Sequence, residues 1–586
     1  MDATVTSDNA PDLDARPSII HGPPISEQPF LGALTLPGYL REVTARFSGK
    51  DAMIGYLPDG TVEHWTYDDL WARALDVARA LAARGVGKDS RVGVMMTNRP
   101  EWLATFFGIG LCGGVAVTLS TFSTATELDY LLKAGCIEGL LFERKVLAKD
   151  FGAVLEALAP EIATAKPRRL AAPAFPYLRW IVAVGEGGWG TGGGEGPGKS
   201  GGGAIEAWAD FLAEAEQTPA ALVEAMAEAV KPADMGAIFF SSGSTGKAKG
   251  IMSAHRALAI QLWRWLWFDN VGDDVRSLSV NGFFWSGNFC QTLGPTFSSG
   301  GVLVLQPTFE PEETLRLMQK ERVNLPVGWP HQWARLEQAS NWAETDLSSL
   351  KYIDTQYPLA RHPTVTTTYV EPRWAYGNTE TFTIVTGFPA NSPIEIAGDT
   401  HGVALPGAVV KVVDPETGRT TPRGMSGEIA VKGATLMLGY LGIPAEETLD
   451  GEGFLRTGDG GRIDERDRLI WEGRITDMIK TGGANVSPVE IDTEIAAYPG
   501  VKLSRAVGVP HETLGELIVA CVVKEPGAAV DEASIRDYLK PRLASYKIPR
   551  RVIFVQEDEL SLTSSAKVKT SALRELAQKR LAAEKA

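Results

Sequence analysis

Five short stretches carry residue types and spacings that suit handling of a phosphorylated nucleotide. In "GAIFFSSGSTGKAKGIMSAHRAL" an apolar run leads straight into Ser241, Ser242, Gly243, Ser244, Thr245, Gly246 and Lys247, and then Ala248, Lys249 and Gly250. Small residues let a backbone wrap oxyanions, hydroxyls add donors and lysines add positive charge. Downstream lie "YGNTET" (Tyr376 to Thr381), "RTGD" (Arg456 to Asp459), "WEGRITDMIKTGGANVSPVEIDTEI" and "LTSSAKVKTSALRE". Together they supply isolated carboxylates, an arginine and a lysine at well-separated positions. That set could neutralise a polyphosphate and accept hydrogen bonds from sugar hydroxyls.

A competing signal is a decoy. The tract "GEGGWGTGGGEGPGKSGGG", 185 to 203, satisfies three familiar glycine patterns, including G-x-x-x-x-G-K-[ST] at Gly193, Gly198, Lys199 and Ser200. A phosphate loop, however, needs a defined turn and a helix whose N–H groups face the anion. Glycines on both sides of Lys199-Ser200 discourage that helix, so the tract reads as an exposed loop.

The five stretches, in this order, resemble the motifs of the adenylate-forming (AMP-binding) superfamily, acyl-CoA synthetase type. The resemblance runs from about 37 to 580. It implies an ATP site of Ser241, Ser242, Gly243, Ser244, Thr245, Gly246, Lys249, Tyr376, Gly377, Thr379, Asp459, Arg474 and Lys567. It implies that Tyr376 covers adenine, Thr379 meets phosphate, Glu380 holds magnesium, Asp459 takes the ribose and Lys567 drives adenylation. Thr379, Glu380 and Lys567 are thus the expected catalytic set. It also implies a hinge at Thr476 and an approach of Lys480, Gly482 and Gly483 to coenzyme A. Three departures stand out: Ala248 where proline is usual, Ala566 before the lysine where glycine is usual, and Thr476 at the hinge. A fourth is "DTQYPLA", Asp354 to Ala360, which sets Gln356 and Tyr357 where relatives carry small residues.

The segment "NGFFWSGNF" resembles the aromatic-centred lining of the family's acyl pocket. Phe284, Trp285, Phe289, Trp329 and Tyr357, with His331 nearby, predict an apolar or aromatic acid. The reaction implied is adenylation of that acid followed by transfer to CoA, with ATP, Mg²⁺ and CoA as cofactor and co-substrates. Transfer to another acceptor such as a carrier protein, or a catalytically silent regulator, are the alternatives. No carrier domain follows Lys567, which favours free CoA, and the retained charged residues argue against a silent regulator.

The elements that must position these residues are readable from periodicity. "YDDLWARALDVARALAARGV", "PEWLATFFGIGLCGG" and "TATELDYLLKAG" are helical in period, and "RVGVMM", "VAVTL", "GLLFE", "WIVAV", "GAIFF" and "GVLVLQ" read as strands. Alternating strands and helices predict an α/β fold around parallel sheets. Residues 1–36 read as a flexible arm, 37–475 as the AMP-binding domain with a β-rich subdomain from about 400, and 476–586 as a small mobile α+β C-terminal domain.

Length and composition agree. The 586 residues are 44% hydrophobic and 22% charged, and 72 acidic against 57 basic residues give a net charge of −15. That charge disfavours nucleic acid or an anionic membrane as the main partner. Four scattered cysteines fit reduced thiols in a cytoplasmic setting, and no H-x-x-x-H pair suggests a structural metal beyond nucleotide-bound Mg²⁺. The N-terminus lacks a secretory pattern. The apolar run Leu103 to Ser120 is divided by Cys112-Gly113-Gly114, which argues against a membrane span. A homodimer is compatible with the sequence.

Overall fold

The computed structural model describes residues 16–185, 189, 203–241, 248–372, 375–481, 484–511, 514–543, 547–562 and 568–585, with 330, 331, 484, 485 and 585 described by backbone only. The chain divides into two compact units. The larger comprises 21–409 with 432–453, and the smaller comprises the described part of 1–20 with 410–431 and 454–586. The expected boundary after 475 is therefore not where compactness divides the chain: most of the β-rich stretch groups with the C-terminal residues.

In the larger unit an eight-stranded sheet runs in the order Ile205–Ala207, Trp180–Val184, Gly139–Glu143, Arg91–Met95, Val115–Thr118, Met235–Ser241, Lys249–Ala254, Gly439–Tyr440. The first six strands pair in parallel and the last two join antiparallel. Val115–Thr118 is buried at every position, as a parallel strand covered on both faces must be. The helices that cover it start where their caps dictate. Thr66 with Asp69 and Thr124 with Glu127 form capping boxes for Tyr67–Ala83 and Ala125–Ala134. Pro100 occupies the first turn of Pro100–Leu111. The apolar run after Leu103 is thus this helix and the next strand. Among the described residues no helix is long and apolar enough to cross a membrane.

A second sheet, ordered Leu325–Val327, Arg276–Ser279, Val302–Leu305, Asp51–Tyr56, Val62–Thr66, is parallel except for its final hairpin. Helix His255–Phe268 is buried almost throughout. The aromatic run "LWRWLWF", 262 to 268, ends this helix, with Trp263 and Phe268 fully buried. Arg264 in the same helix is also fully buried, and donates to Gln28 Oε1 at 2.8 Å, Ile384 O at 3.2 Å and Pro406 O at 2.6 Å. A buried guanidinium needs such acceptors, and here they tie the helix to the strand Thr383–Gly387.

In the smaller unit the expected arm is shorter than 1–36. Ser18 N donates to Thr421 O and Val412 N to Ser18 O, both at 2.8 Å, so the chain is held by a sheet from this point on. That sheet is ordered Ile19–His21, Ala408–Val413, Gly427–Gly433, Leu455–Ile463, Leu469–Arg474. The C-terminal residues build a further sheet of Ala484–Val486, Ile479–Thr481, Gly515–Lys524 and Val501–His511, with Arg551–Phe554 parallel to Gly515–Lys524. Helices Pro488–Ala496 and Glu532–Leu539 contribute Ile491, Ile495, Ile535 and Leu539 to its core.

Candidate active site

The motif "YGNTET" folds as strand Tyr376–Asn378 followed by a single 3-10 turn, Thr379–Thr381. Asn378 Oδ1 accepts from the Thr381 N–H at 3.0 Å, and Thr381 Oγ1 donates to Thr383 O at 2.7 Å. Phe382 and Thr383 carry φ of 47° and 92°. A β-branched residue in that region is strained, and such strain persists only where surroundings impose it. They do so here: Trp265 Nε1 donates to Thr383 Oγ1 at 3.2 Å, and Gln261 Nε2 to Ile384 O at 2.8 Å. Gly377 is required by close approach, since a Cβ there would lie 1.8 Å from Thr383 O.

The turn presents Thr379 to a cleft of about 480 Å³. Its walls come from four places: Trp265, Phe268 and Asp269 at the end of helix His255–Phe268; Ser286, Gly287 and Gln291 at the start of helix Ser286–Ser299; strand Leu325–Val327 with Gly328; and Tyr352, Tyr369 and Glu371 from the following loops.

Beside Thr379, Glu380 Oε1 accepts from Tyr440 Oη at 2.8 Å, and its backbone O accepts from Met437 N at 2.7 Å. Lys249 Nζ sits 4.7 Å from the Tyr440 ring centre, and its strand pairs Lys249 with Ser241. Ser241 and Lys249 thus flank the base of the Ser/Thr/Gly stretch, while Ser242, Gly243, Ser244, Thr245 and Gly246 lie outside the described residues. A carboxylate fixed by one donor suits Mg²⁺, which takes one or two carboxylates and fills its sphere with phosphate oxygens and water. Among the described residues no group of three or more His, Cys, Asp or Glu could hold a metal by itself.

In the smaller unit Asp459 and Arg474 face each other across a strand pair, with Arg474 Nε 3.1 Å from Asp459 Oδ1. Arg474 Nη1 also donates to Thr457 O at 2.8 Å. Gly458, at φ +72°, makes the bend that turns Asp459 inward, where it is 4% exposed. Half of the Arg474 side chain remains in solvent. Thr476 is exposed in the 3-10 turn Ile475–Asp477, and Lys480 N donates to Glu516 Oε2 at 2.7 Å. Lys567, Gly482 and Gly483 lie outside the described residues.

Of the expected acyl-pocket residues, none lines the cleft directly. Phe289 is fully buried, its ring 4.8 Å from Phe106 and about 6 Å from Trp102, Phe239 and Phe382, which makes it core. Trp285 stacks on Phe122 and lies 5.2 Å from Trp329, and Phe284 abuts both Phe122 and Trp285. The wall lies one residue away, at Ser286 after Trp285 and at Gly328 before Trp329. Tyr357 reaches the site indirectly, donating to Glu371 Oε2 at 3.1 Å, and Gln356 points to solvent. The side chain of His331 lies outside the described residues. The sequence reading missed Trp265, Phe268, Tyr352, Tyr369, Asp269 and Glu371. The helical aromatic run before Asp269 is the available signal.

Of the glycine tract only Gly185, Trp189 and Gly203 are described. Trp189 packs between Trp65 and Trp208, 5.3 and 5.5 Å away, so one residue of the tract is anchored. Removing 191 to 201 while keeping Trp189 is expected to leave the KM for ATP within about twofold, and Lys199→Ala likewise. Loss of pyrophosphate release in Lys199→Ala would restore the tract to the nucleotide site.

Comparison with known proteins agrees with this geometry. The family model "AMP-binding enzyme" matches 40–441, and "AMP-binding enzyme C-terminal domain" matches 490–567. The chain belongs to the AMP-binding enzyme family. It is 30% identical over 558 residues, 94% of this chain and 99% of the relative, to the 3-[(3aS,4S,7aS)-7a-methyl-1,5-dioxo-octahydro-1H-inden-4-yl]propanoyl:CoA ligase of Rhodococcus jostii. Feruloyl-CoA synthase of Amycolatopsis is 29% identical, over 86% of this chain and 92% of its own. The structure of ATP-bound MatB from Rhodopseudomonas palustris superposes with a TM-score of 0.70 at 27% identity, covering 92% of this chain and 98% of that one.

Proposed function

We propose that this chain is an ATP-dependent carboxylic acid–CoA ligase acting on an apolar or aromatic acid. The observation that carries the reading is the turn at Thr379, held against Phe382 and Thr383 at positive φ, which opens onto a cleft walled in part by Trp265, Phe268, Tyr352 and Tyr369 in a chain of this family. Relatives named for feruloyl and for an octahydroindenyl propanoyl group support a ring-bearing acid.

In the first half-reaction a carboxylate oxygen attacks the α-phosphorus of ATP, forming acyl-AMP and releasing pyrophosphate. Anion approaches anion, so the barrier falls when charge is neutralised and the groups are held in line. Thr379 offers a hydroxyl to a phosphate oxygen from a turn that cannot relax. Glu380, oriented by Tyr440, would hold Mg²⁺, which when bound shields the phosphate charges. Lys249 and Lys567 add positive charge, Tyr376 covers the base, and Asp459, acceptor-only, takes the ribose hydroxyls. In the second half-reaction the CoA sulfur bonds to the acyl carbon, the carbon–oxygen bond to AMP breaks, and the thiol proton is lost. Rotation at Thr476, bringing Lys480, Gly482 and Gly483 towards the pantetheine arm, is the proposed change between halves. Acid-dependent pyrophosphate release followed by acyl-CoA formation tests the reading.

A further inference from the structure

Gln261 lies in the middle of helix His255–Phe268 and is fully buried. Its Nε2 donates to Thr381 O at 3.3 Å and to Ile384 O at 2.8 Å. Those two carbonyls bracket Phe382 and Thr383, the residues held at φ of 47° and 92°. Two carbonyl oxygens can be met only by the NH2 end of an amide, which fixes its orientation. The other end is left unmet: Gln261 Oε1 is buried and has no hydrogen-bond partner among the described residues. Buried polar atoms ordinarily find partners, and an orphaned acceptor costs stability. An amide kept in the core at that cost is explained by what its donors hold.

Residues i, i+3 and i+4 share a helix face, and here all three donate into the same segment. Arg264 Nη1 donates to Ile384 O and Trp265 Nε1 to Thr383 Oγ1, each at 3.2 Å. Of the three, Gln261 alone grips the backbone on both sides of the positive-φ pair. Backbone in that region persists only when its surroundings over-determine it. Phe382 N closes the turn on Thr379 O at 3.0 Å, so a shift at Phe382 carries Thr379 and Glu380 with it.

We propose that Gln261 is a positioning residue for adenylation. It touches no reacting group, and acts by clamping Thr381 and Ile384 so that the Thr379 hydroxyl and the Glu380 carboxylate stay aimed at the phosphates. The inference rests on the acid–CoA ligase reading and deepens it. Replacing the amide by an apolar side chain of the same length loses the aim but also removes the orphaned Oε1, so catalysis and stability should part company.

The test compares the wild type, Gln261→Met, Thr379→Ala and the double variant. Gln261→Met is expected to lower kcat for acid-dependent pyrophosphate release by about thirtyfold or more. The KM for the acid should stay within about twofold, because the cleft wall is untouched, and the unfolding temperature within about three degrees. In the Thr379→Ala background the same change is expected to cost about fivefold or less, because the hydroxyl it would misplace is gone. Equal losses in both backgrounds, or a Gln261→Met kcat within about threefold of wild type, overturn the proposal. Should Gln261→Met not fold, Gln261→Asn, whose amide is one methylene shorter, runs through the same cycle with the same criteria. Hydrogen exchange read by mass spectrometry tests the clamp without catalysis: the amides of Thr379 to Ile384 should exchange about tenfold faster or more in the variant, and unchanged exchange there overturns the proposal. Failure of the ligase reading is distinct: the wild type releases no pyrophosphate with any acid, and exchange at Thr379 to Ile384 alone then decides whether Gln261 clamps the turn.

Discussion

Lys567→Ala is expected to lower the rate of acid adenylation by about a thousandfold, while thioester formation from supplied acyl-adenylate falls far less. In the adenylation transition state negative charge builds on the oxygens of the pentacoordinate phosphorus centre and on the departing pyrophosphate. One preorganised donor aimed at developing charge contributes a factor of about 10² to 10³, and a full positive charge in a site shielded from water sits at the upper end. The thioester step starts from the finished acyl-adenylate and places new charge on the acyl carbonyl oxygen and the departing AMP instead. The assignment comes from "LTSSAKVKTSALRE", whose flanks emerge in the structure as an isolated bridge between Leu562 and Val568 and the helix Thr570–Lys585. Stopped-flow measurement of pyrophosphate release, alongside CoA-dependent decay of synthetic acyl-adenylate, separates the halves. Equal loss in both would remove Lys567 from the adenylating role.

Gly377→Ala should be nearly as damaging for a different reason. Its new methyl would stand 1.8 Å from the Thr383 carbonyl oxygen, a backbone atom that cannot swing aside. The Tyr376–Asn378 strand would have to part from Thr383–Gly387, and with it the turn holding Thr379 and Glu380. Adenylation is expected to fall at least about a hundredfold, since misplacement of about 1 Å can cost that much. Overpacking costs about 1–3 kcal/mol, so thermal unfolding should drop by a few degrees while the chain still folds. A Gly377→Ala enzyme within about threefold of wild-type kcat would mean that this turn does not position the reacting groups.

The strand and helix order of the larger unit was legible because its signals are local. Capping threonines at 66 and 124, Pro100 and the unbroken apolar strands each declare an element within a few residues. The motifs were legible for the same reason, being short runs that keep their spacing. What was not legible depends on packing between distant segments. Phe289 and Ser286 are three residues apart on one helix, yet the first faces an aromatic core and the second the cleft. Nothing in "FFWSGNF" tells which face is which. Asp269 reads locally as a solvated helix end. Tyr369, a hundred residues later, donates to its backbone O. The shortened N-terminal arm is a similar case, since its pairing partners at Val412 and Thr421 lie about four hundred residues downstream.

The central claim is that this chain joins carboxylic acids to CoA through an acyl-adenylate. Its most direct test incubates the purified protein with ATP, Mg²⁺ and a panel of fatty, aryl and alicyclic acids, with and without CoA, measuring pyrophosphate and identifying products by mass. The account predicts acid-dependent pyrophosphate in both cases, AMP and acyl-CoA when CoA is present, and acyl-AMP held by the enzyme when it is absent. Pyrophosphate with acyl-AMP but no acyl-CoA, or no acid-dependent pyrophosphate at all, would contradict it.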